Sequence, residues 1–122
     1  AGALRLLWEV APAQWSPWHT DATWDTYGRA VMRALPPRAV VLSCWDEATT
    51  LRYFRHADVL RDDVDVLYHC RMPRPAFAAA DSAGRPIFTT YPPTREMTGG
   101  RGFTEVGRWA RGGLWRIEGA AR

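Results

Sequence analysis

The stretch Ala39 to Phe54, AVVLSCWDEATTLRYF, decides the fold class. A short β-branched run ends abruptly in Cys44-Trp45-Asp46-Glu47, and a helical pattern begins at once. A run apolar on both faces predicts a central parallel strand covered by helices on each side. Such a strand hands the polar residues that follow it to the carboxyl edge of its sheet, where open α/β proteins place their ligands. The stretch therefore points at a site without naming its chemistry.

Working outward, Trp24, Tyr27, Val31 and Leu35 recur at helical spacing. Thr20 or Asp21 can cap that helix, and Pro36-Pro37 stops it. The first strand is expected over Val40 to Cys44. Asp46 is a natural N-cap for the next helix, with Thr49 three residues on; Leu51, Phe54 and Ala57 form its inward stripe, and Arg52, Arg55 and Asp58 face out. Val64 to Cys70 reads as a second strand after the polar Arg61-Asp62-Asp63. Pro75 opens a third helix, PAFAAADSAG, which Gly84 ends. Pro86 to Tyr91 is a third strand, and Pro92 to Gly102 a long loop. Phe103 to Gly107 and Leu114 to Glu118 form a closing antiparallel pair around Arg111-Gly112-Gly113.

This alternation of helices and strands implies right-handed crossovers and a parallel core sheet, in an order the pattern leaves open. The expected class is α/β: a small three-layer Rossmann-like domain with a parallel core sheet and a C-terminal antiparallel hairpin. It spans residues 20–122 and follows a Trp/Pro-rich arm, residues 1–19, carrying Trp8, Trp15 and Trp18. Those indoles either pack on the domain or lie near a membrane surface, where Trp is enriched.

Composition bounds the rest. A chain of 122 residues is one domain with room for a core. A hydrophobic fraction of 47% argues against disorder. No apolar run approaches the ~20 residues a membrane span needs, and no basic-then-apolar signal peptide is visible. A start at Ala1 rather than Met is compatible with a piece cut from something larger. All 16 basic residues are Arg, with no Lys or Asn, as codon bias in a GC-rich genome produces, with thermal adaptation a second source. Arg alternates with acids rather than forming a block, the pattern of a solvated face. With a net charge of only +3 and no basic aromatic stripe, no nucleic-acid partner is expected.

In a parallel sheet three loops meet at one edge: Cys44 to Thr50, His69 to Arg74 and Tyr91 to Arg95. The candidate ligand-binding residues are Trp45, Asp46, Glu47, His69, Arg71, Tyr91 and Arg95, with Thr94 beside them. Each has a plain structural reading as well. Asp46 caps the helix and Glu47 complements its dipole. Trp45 either stacks on a sugar or peptide or closes the core. Cys44 and Cys70 end adjacent strands at matching depth, and strands ~4.8 Å apart lie within disulfide reach. A bridge would close a loop of 27 residues and contribute about 3.5 kcal/mol on the chain-entropy model, in an oxidising compartment. A Cys–His nucleophile pair is a further reading. Metal spacings such as C-x-x-C are missing, so no metal is expected. The sequence lacks a Walker loop, G-x-G-x-x-G and G-x-S-x-G, and no cofactor is expected. Gly99-Gly100-Arg101-Gly102 follows a loop rather than a strand and reads as a flexible connector.

The succession LPPRAVVLSCWDEATTLRYF, VLRDDVDVLY, GRPIFTTY and LWRI resembles the C-terminal soluble region of a family of polytopic bacterial membrane proteins. These are relatives of the protein O-mannosyltransferases, with the large-membrane-domain glycosyltransferase fold. The likeness covers about Thr20 to Glu118. Its motifs are the LPP turn, the strand-Trp-Asp junction at Leu42 to Asp46, the Arg-x-Asp-Val at Arg61 to Val64 and the Arg-Pro at Arg85-Pro86; Asp62-Asp63 stands where Pro-Asp is usual. The junction is also similar to the Trp-Trp-Asp-Tyr-Gly motif of the oligosaccharyltransferase catalytic subunit, whose Trp and Asp help bind the acceptor. Here Cys44 replaces the first Trp and Glu47-Ala48 the Tyr-Gly, so only Trp45 and Asp46 carry over. The resemblance implies a non-catalytic domain on the extracytoplasmic face of the bacterial cell membrane, following many membrane spans, with the catalytic carboxylate elsewhere. Its implied partners are the membrane domain of the same polypeptide and a glycan, lipid-linked sugar or acceptor peptide. Two alternatives stand beside it: a small self-contained Rossmann-like enzyme or nucleotide-binding domain, and a purely structural docking module.

Overall fold

In a computed structural model of the chain, residues 22–58, 61–71 and 74–119 are described. The Trp/Pro-rich arm and the proposed caps Thr20 and Asp21 lie outside them. The architecture is mixed α/β, with three α-helices and a five-stranded mixed sheet among these residues.

Helix α1 runs Ala22–Ala34 and buries Trp24, Tyr27, Val31 and Met32 on one stripe. The stripe continues into buried Leu35, whose amide still reaches the Val31 carbonyl, before Pro36-Pro37 breaks the ladder. Strand β1, Val40–Ser43, is buried at every position, as a central strand must be. Helix α2, Trp45–Tyr53, follows and widens into a π-helical turn over Phe54–Asp58. Strand β2 is Asp65–Tyr68, helix α3 Arg74–Ser82 and strand β3 Ile87–Thr89. Gly84 sits just past α3 at φ +65, the left-handed position that glycine occupies without strain. Strands β4, Phe103–Trp109, and β5, Gly112–Ile117, form the closing hairpin around Ala110-Arg111.

The spatial order is β2-β1-β3-β5-β4. Strand β1 pairs in parallel with both β2 and β3, Leu42 facing Leu67 on one side and Thr89 on the other. Strand β5 runs antiparallel to β3, so the parallel core is three strands wide and the hairpin extends one edge. The pleat sends alternate β1 residues to opposite faces. Val41 packs with Tyr27, Val31, Leu51, Val66 and Phe88 in the cluster holding α1 and α2. Val40 and Leu42 pack with Phe77, Ala80, Ile87 and Ile117 in the cluster holding α3. Gly28 lets α1 close on the turn after α2: a Cβ there would lie 2.2 Å from the Phe54 ring.

Several boundaries differ from the sequence reading. Cys44 leaves β1 and becomes the residue before α2, with extended backbone at φ −144. Val64 precedes β2 because its amide closes a turn onto the Arg61 carbonyl. The Gly-rich connector carries a hydrogen-bonded turn over residues 95–100. Buried Thr98 holds it by donating within reach of the Arg95 and Arg101 carbonyls, at 3.2 and 2.8 Å.

The solvated-face reading of the arginines also changes at the amino-terminal rim. When Pro36-Pro37 stops α1, the last carbonyls of the helix lack intrahelical partners. Arg61 supplies donors: Nη1 reaches Met32 and Leu35 carbonyls at 2.6 and 3.1 Å, and Nη2 the Pro36 carbonyl at 3.2 Å. The same guanidinium is held by Asp63 at 2.9 and 3.0 Å. Arg85 donates to Asp65 at 2.6 Å and to the Arg38 and Asp63 carbonyls at 2.8 and 3.1 Å. The Arg38 amide, at φ +64, donates to Asp63 at 2.9 Å. Arg55 donates to the Val64 carbonyl and pairs with Asp65 at 3.5 Å. One rim is thus stitched by forked cations that need several acceptors each.

Candidate functional site at the carboxyl rim

The three parallel strands end together: Ser43 is level with Tyr68, and Leu42 with Thr89. From β1 the chain leaves toward the face that α1 and α2 cover. From β3 it leaves toward the α3 face, where Tyr91 and Met97 pack. Two chains parting to opposite faces open a crevice between them, the place where α/β sheets bind ligands. A cavity of about 390 Å³ lies there. Cys44, Trp45, Glu47 and Cys70 line one side; Thr90, Tyr91, Pro92 and Met97 line the other.

Trp45 begins α2 with φ +54. A bulky residue in the left-handed region is a true outlier and costs roughly 1–3 kcal/mol of local strain. Packing does not repay it, because the Trp45 residue is 72% exposed. The turn lets the helix start two residues earlier than an Asp46 cap requires. The cap position falls to Cys44, with no side-chain capping bond. The expectation that Asp46 caps the helix is therefore corrected: Asp46 and Glu47 both sit in the first turn, where their charge complements the helix dipole.

That shift separates the two carboxylates. Asp46 points to solvent, while Glu47 is half-buried and lines the crevice. Burial raises the Glu47 carboxyl above its ordinary 4.5; a bond from its own amide opposes the rise, and neighbouring Asp46 adds to it. Tyr91 is half-buried, and its hydroxyl oxygen is shut off from solvent with no hydrogen-bond partner among the described residues. Burial pushes that hydroxyl up to about 12.

Behind Thr90 runs a buried chain of hydroxyls. Ser43 Oγ and Thr90 Oγ1 lie 2.7 Å apart, and the Thr90 side chain lies near enough to the Tyr27 hydroxyl to favour its charged form slightly. Tyr27 then donates to the Gly113 carbonyl at 3.1 Å. Burial first, and then the Glu47 charge, hold the Tyr27 hydroxyl well above the usual phenol range. The chain ties α1, β1, β3 and β5 beneath the crevice floor. Each of its members has a partner, in contrast to Tyr91.

Cys44 and Cys70 face each other as a disulfide, Cα atoms 5.0 Å apart and 26 residues apart in sequence. No thiol remains free, so the Cys–His reading has no nucleophile. Among the described residues no three His, Cys, Asp or Glu side chains converge on a metal position.

Of the seven residues singled out from sequence, the structure brings Trp45, Glu47 and Tyr91 to the crevice. Asp46, His69, Arg71 and Arg95 are exposed and are not among its walls. Thr90, Pro92 and Met97 complete it without having been singled out. Thr90 was legible as the first residue beyond β3, but Met97 is carried in by the turn at residues 95–100, which has no sequence period. Comparison with protein-family models, with curated proteins and with solved structures finds no match.

Proposed function

We propose that this chain is a three-layer Rossmann-like, non-catalytic domain of a membrane glycosyltransferase-like protein. It lies outside the cytoplasm, and its carboxyl-rim crevice binds glycan, lipid-linked sugar or acceptor. The observation that carries a binding role is the crevice of about 390 Å³ at the strand ends, with Tyr91 among its walls; the Tyr91 hydroxyl itself is buried and has no partner among the described residues. A buried polar group left unpaired costs about 1–3 kcal/mol, a cost natural folds keep where a ligand completes the bond. Strained, exposed Trp45 at the same rim supports the reading, because uncompensated strain gathers at functional sites.

The membrane and glycosyltransferase parts of the reading rest on the family resemblance. The Cys44–Cys70 pair supports an oxidising location. No described helix is long and apolar enough to cross a membrane, so the spans of the proposal belong to the rest of the polypeptide.

Calorimetric titration of the chain with glycans, polyprenyl-phosphate sugars and acceptor peptides tests the binding role. Binding by at least one class is expected, lost in Trp45→Ala and weakened in Glu47→Ala. Binding that survives both substitutions places the ligand elsewhere. If no ligand binds and Trp45→Ala only lowers the melting temperature, the rim is a structural docking module.

A further inference from the structure

We propose that the crevice recognises an uncharged pyranose ring and admits no phosphate, carboxylate or ammonium group of its ligand. This rests on the carboxyl-rim crevice being the ligand site. Among the described residues its walls carry no basic side chain; the ionisable groups among them are the Glu47 carboxyl and the Tyr91 phenol. The start of α2 opens on the same space, and a helix N-terminus attracts anions. Here Asp46 and Glu47 already occupy its first turn and supply that negative charge. A phosphate entering the crevice would meet a half-buried carboxylate and no cation among the described walls, and would be desolvated without compensation. Arg85 and Arg116 line another hollow of about 310 Å³, and Arg74 and Arg101 one of about 390 Å³; Arg71 and Arg95 are exposed and outside the crevice walls.

What the crevice offers suits a neutral polyol. Glu47 accepts hydrogen bonds, and the Tyr91 hydroxyl, which has no partner among the described residues, is buried and would meet a ligand only when its ring turns toward the crevice. An ammonium ion could neutralise Glu47, but it has no acceptor for the Tyr91 proton. A sugar hydroxyl donates and accepts, so one ring can serve both groups. The Trp45 indole stands exposed at the mouth and provides a flat apolar face for the C–H side of a pyranose. Pro92, Met97 and the disulfide form the remaining apolar wall.

Methyl hexopyranosides of several configurations, sodium pyrophosphate and methylammonium, titrated separately into the ¹⁵N-labelled chain, distinguish these chemistries. At least one pyranoside is expected to shift the amides of Trp45, Thr90, Tyr91 and Met97 saturably. Tyr91→Phe should weaken that binding about tenfold, the worth of one hydrogen bond. Trp45→Gly should abolish it while the remaining spectrum keeps its dispersion. Pyrophosphate and methylammonium should leave the crevice amides unmoved. Saturable crevice shifts with either ion overturn the inference but leave the site standing. If neither the three probes nor acceptor peptides shift those amides, the site reading falls with it.

Discussion

The two rims of the sheet are built on opposite terms. At the amino rim, Arg61, Arg85, Arg55 and Arg38 meet Asp63, Asp65 and the last carbonyls of α1, so that donors and acceptors are closely matched. At the carboxyl rim the Tyr91 hydroxyl is unpaired among the described residues, Trp45 is strained and exposed, and Glu47 is pressed toward its neutral form. The same three parallel strands end in both places, so the strands themselves do not cause the difference. The first rim uses its polar groups to hold the fold; at the second, the Tyr91 hydroxyl has no such use among the described residues. The resemblance motifs divide along this line too. Arg61 to Val64 and Arg85-Pro86 serve the amino rim, and the Trp45-Asp46 junction the other.

The largest effect should come from the one covalent link at the carboxyl rim. Replacing Cys44 and Cys70 together by Ala should cost about 3.5 kcal/mol in urea unfolding, the chain-entropy value for this loop. It should also weaken crevice ligands, because Cys44 and Cys70 form part of the wall. A loss confined to stability would detach the bridge from binding. At the amino rim, Arg61→Ala removes the side-chain donor of three backbone carbonyls and leaves Asp63 with the Arg38 amide. About 2 kcal/mol of stability should be lost, discounted for partial exposure, with ligand affinity unchanged. An affinity change of tenfold or more would show the rims to be coupled.

Titration should separate the rims by sign. The Arg61 side chain, with the Arg38 amide, holds the Asp63 carboxyl well below its ordinary 3.8. Its stabilisation is complete above that value and disappears as pH falls through the lowered folded value. Glu47 has the opposite linkage, since its folded value is raised. It costs nothing below its ordinary 4.5, and the penalty grows as pH rises from there through the raised value. Asp63→Asn should therefore lower stability at neutral pH and converge with the wild type in acid. Glu47→Gln should raise stability at neutral pH and also converge in acid. Chemical unfolding at a series of pH values checks both; a Glu47→Gln variant less stable at neutral pH would contradict the assigned burial.

Much of this molecule could be read from its sequence. The helix–strand alternation, the parallel core, the closing hairpin and the disulfide pair follow from periodicity and from where each strand stops. That the ends of β1, β2 and β3 share a rim follows from parallel pairing alone, which is how Trp45, Glu47 and Tyr91 were found together. The choice between Asp46 and Glu47 was not legible, because it turns on one backbone angle: φ +54 at Trp45 moves the helix start and swings Glu47 inward. The arginine stitching was hidden for another reason. Arg61 bonds main-chain carbonyls 25 to 29 residues away, and backbone acceptors leave no mark in a sequence. The order β2-β1-β3-β5-β4 depends on which side each crossover takes, and no local pattern records that.

The smallest change tests the comparison most directly. Tyr91→Phe deletes one oxygen atom that has no partner among the described residues. Removing an unpaired buried hydroxyl should raise unfolding free energy by about 1 kcal/mol and weaken the crevice ligand in the same protein. Gain in stability with loss of binding is the outcome expected of a group held ready for a ligand. A variant that is less stable than the wild type would show the hydroxyl to be satisfied within the fold, and the contrast between the rims would be gone.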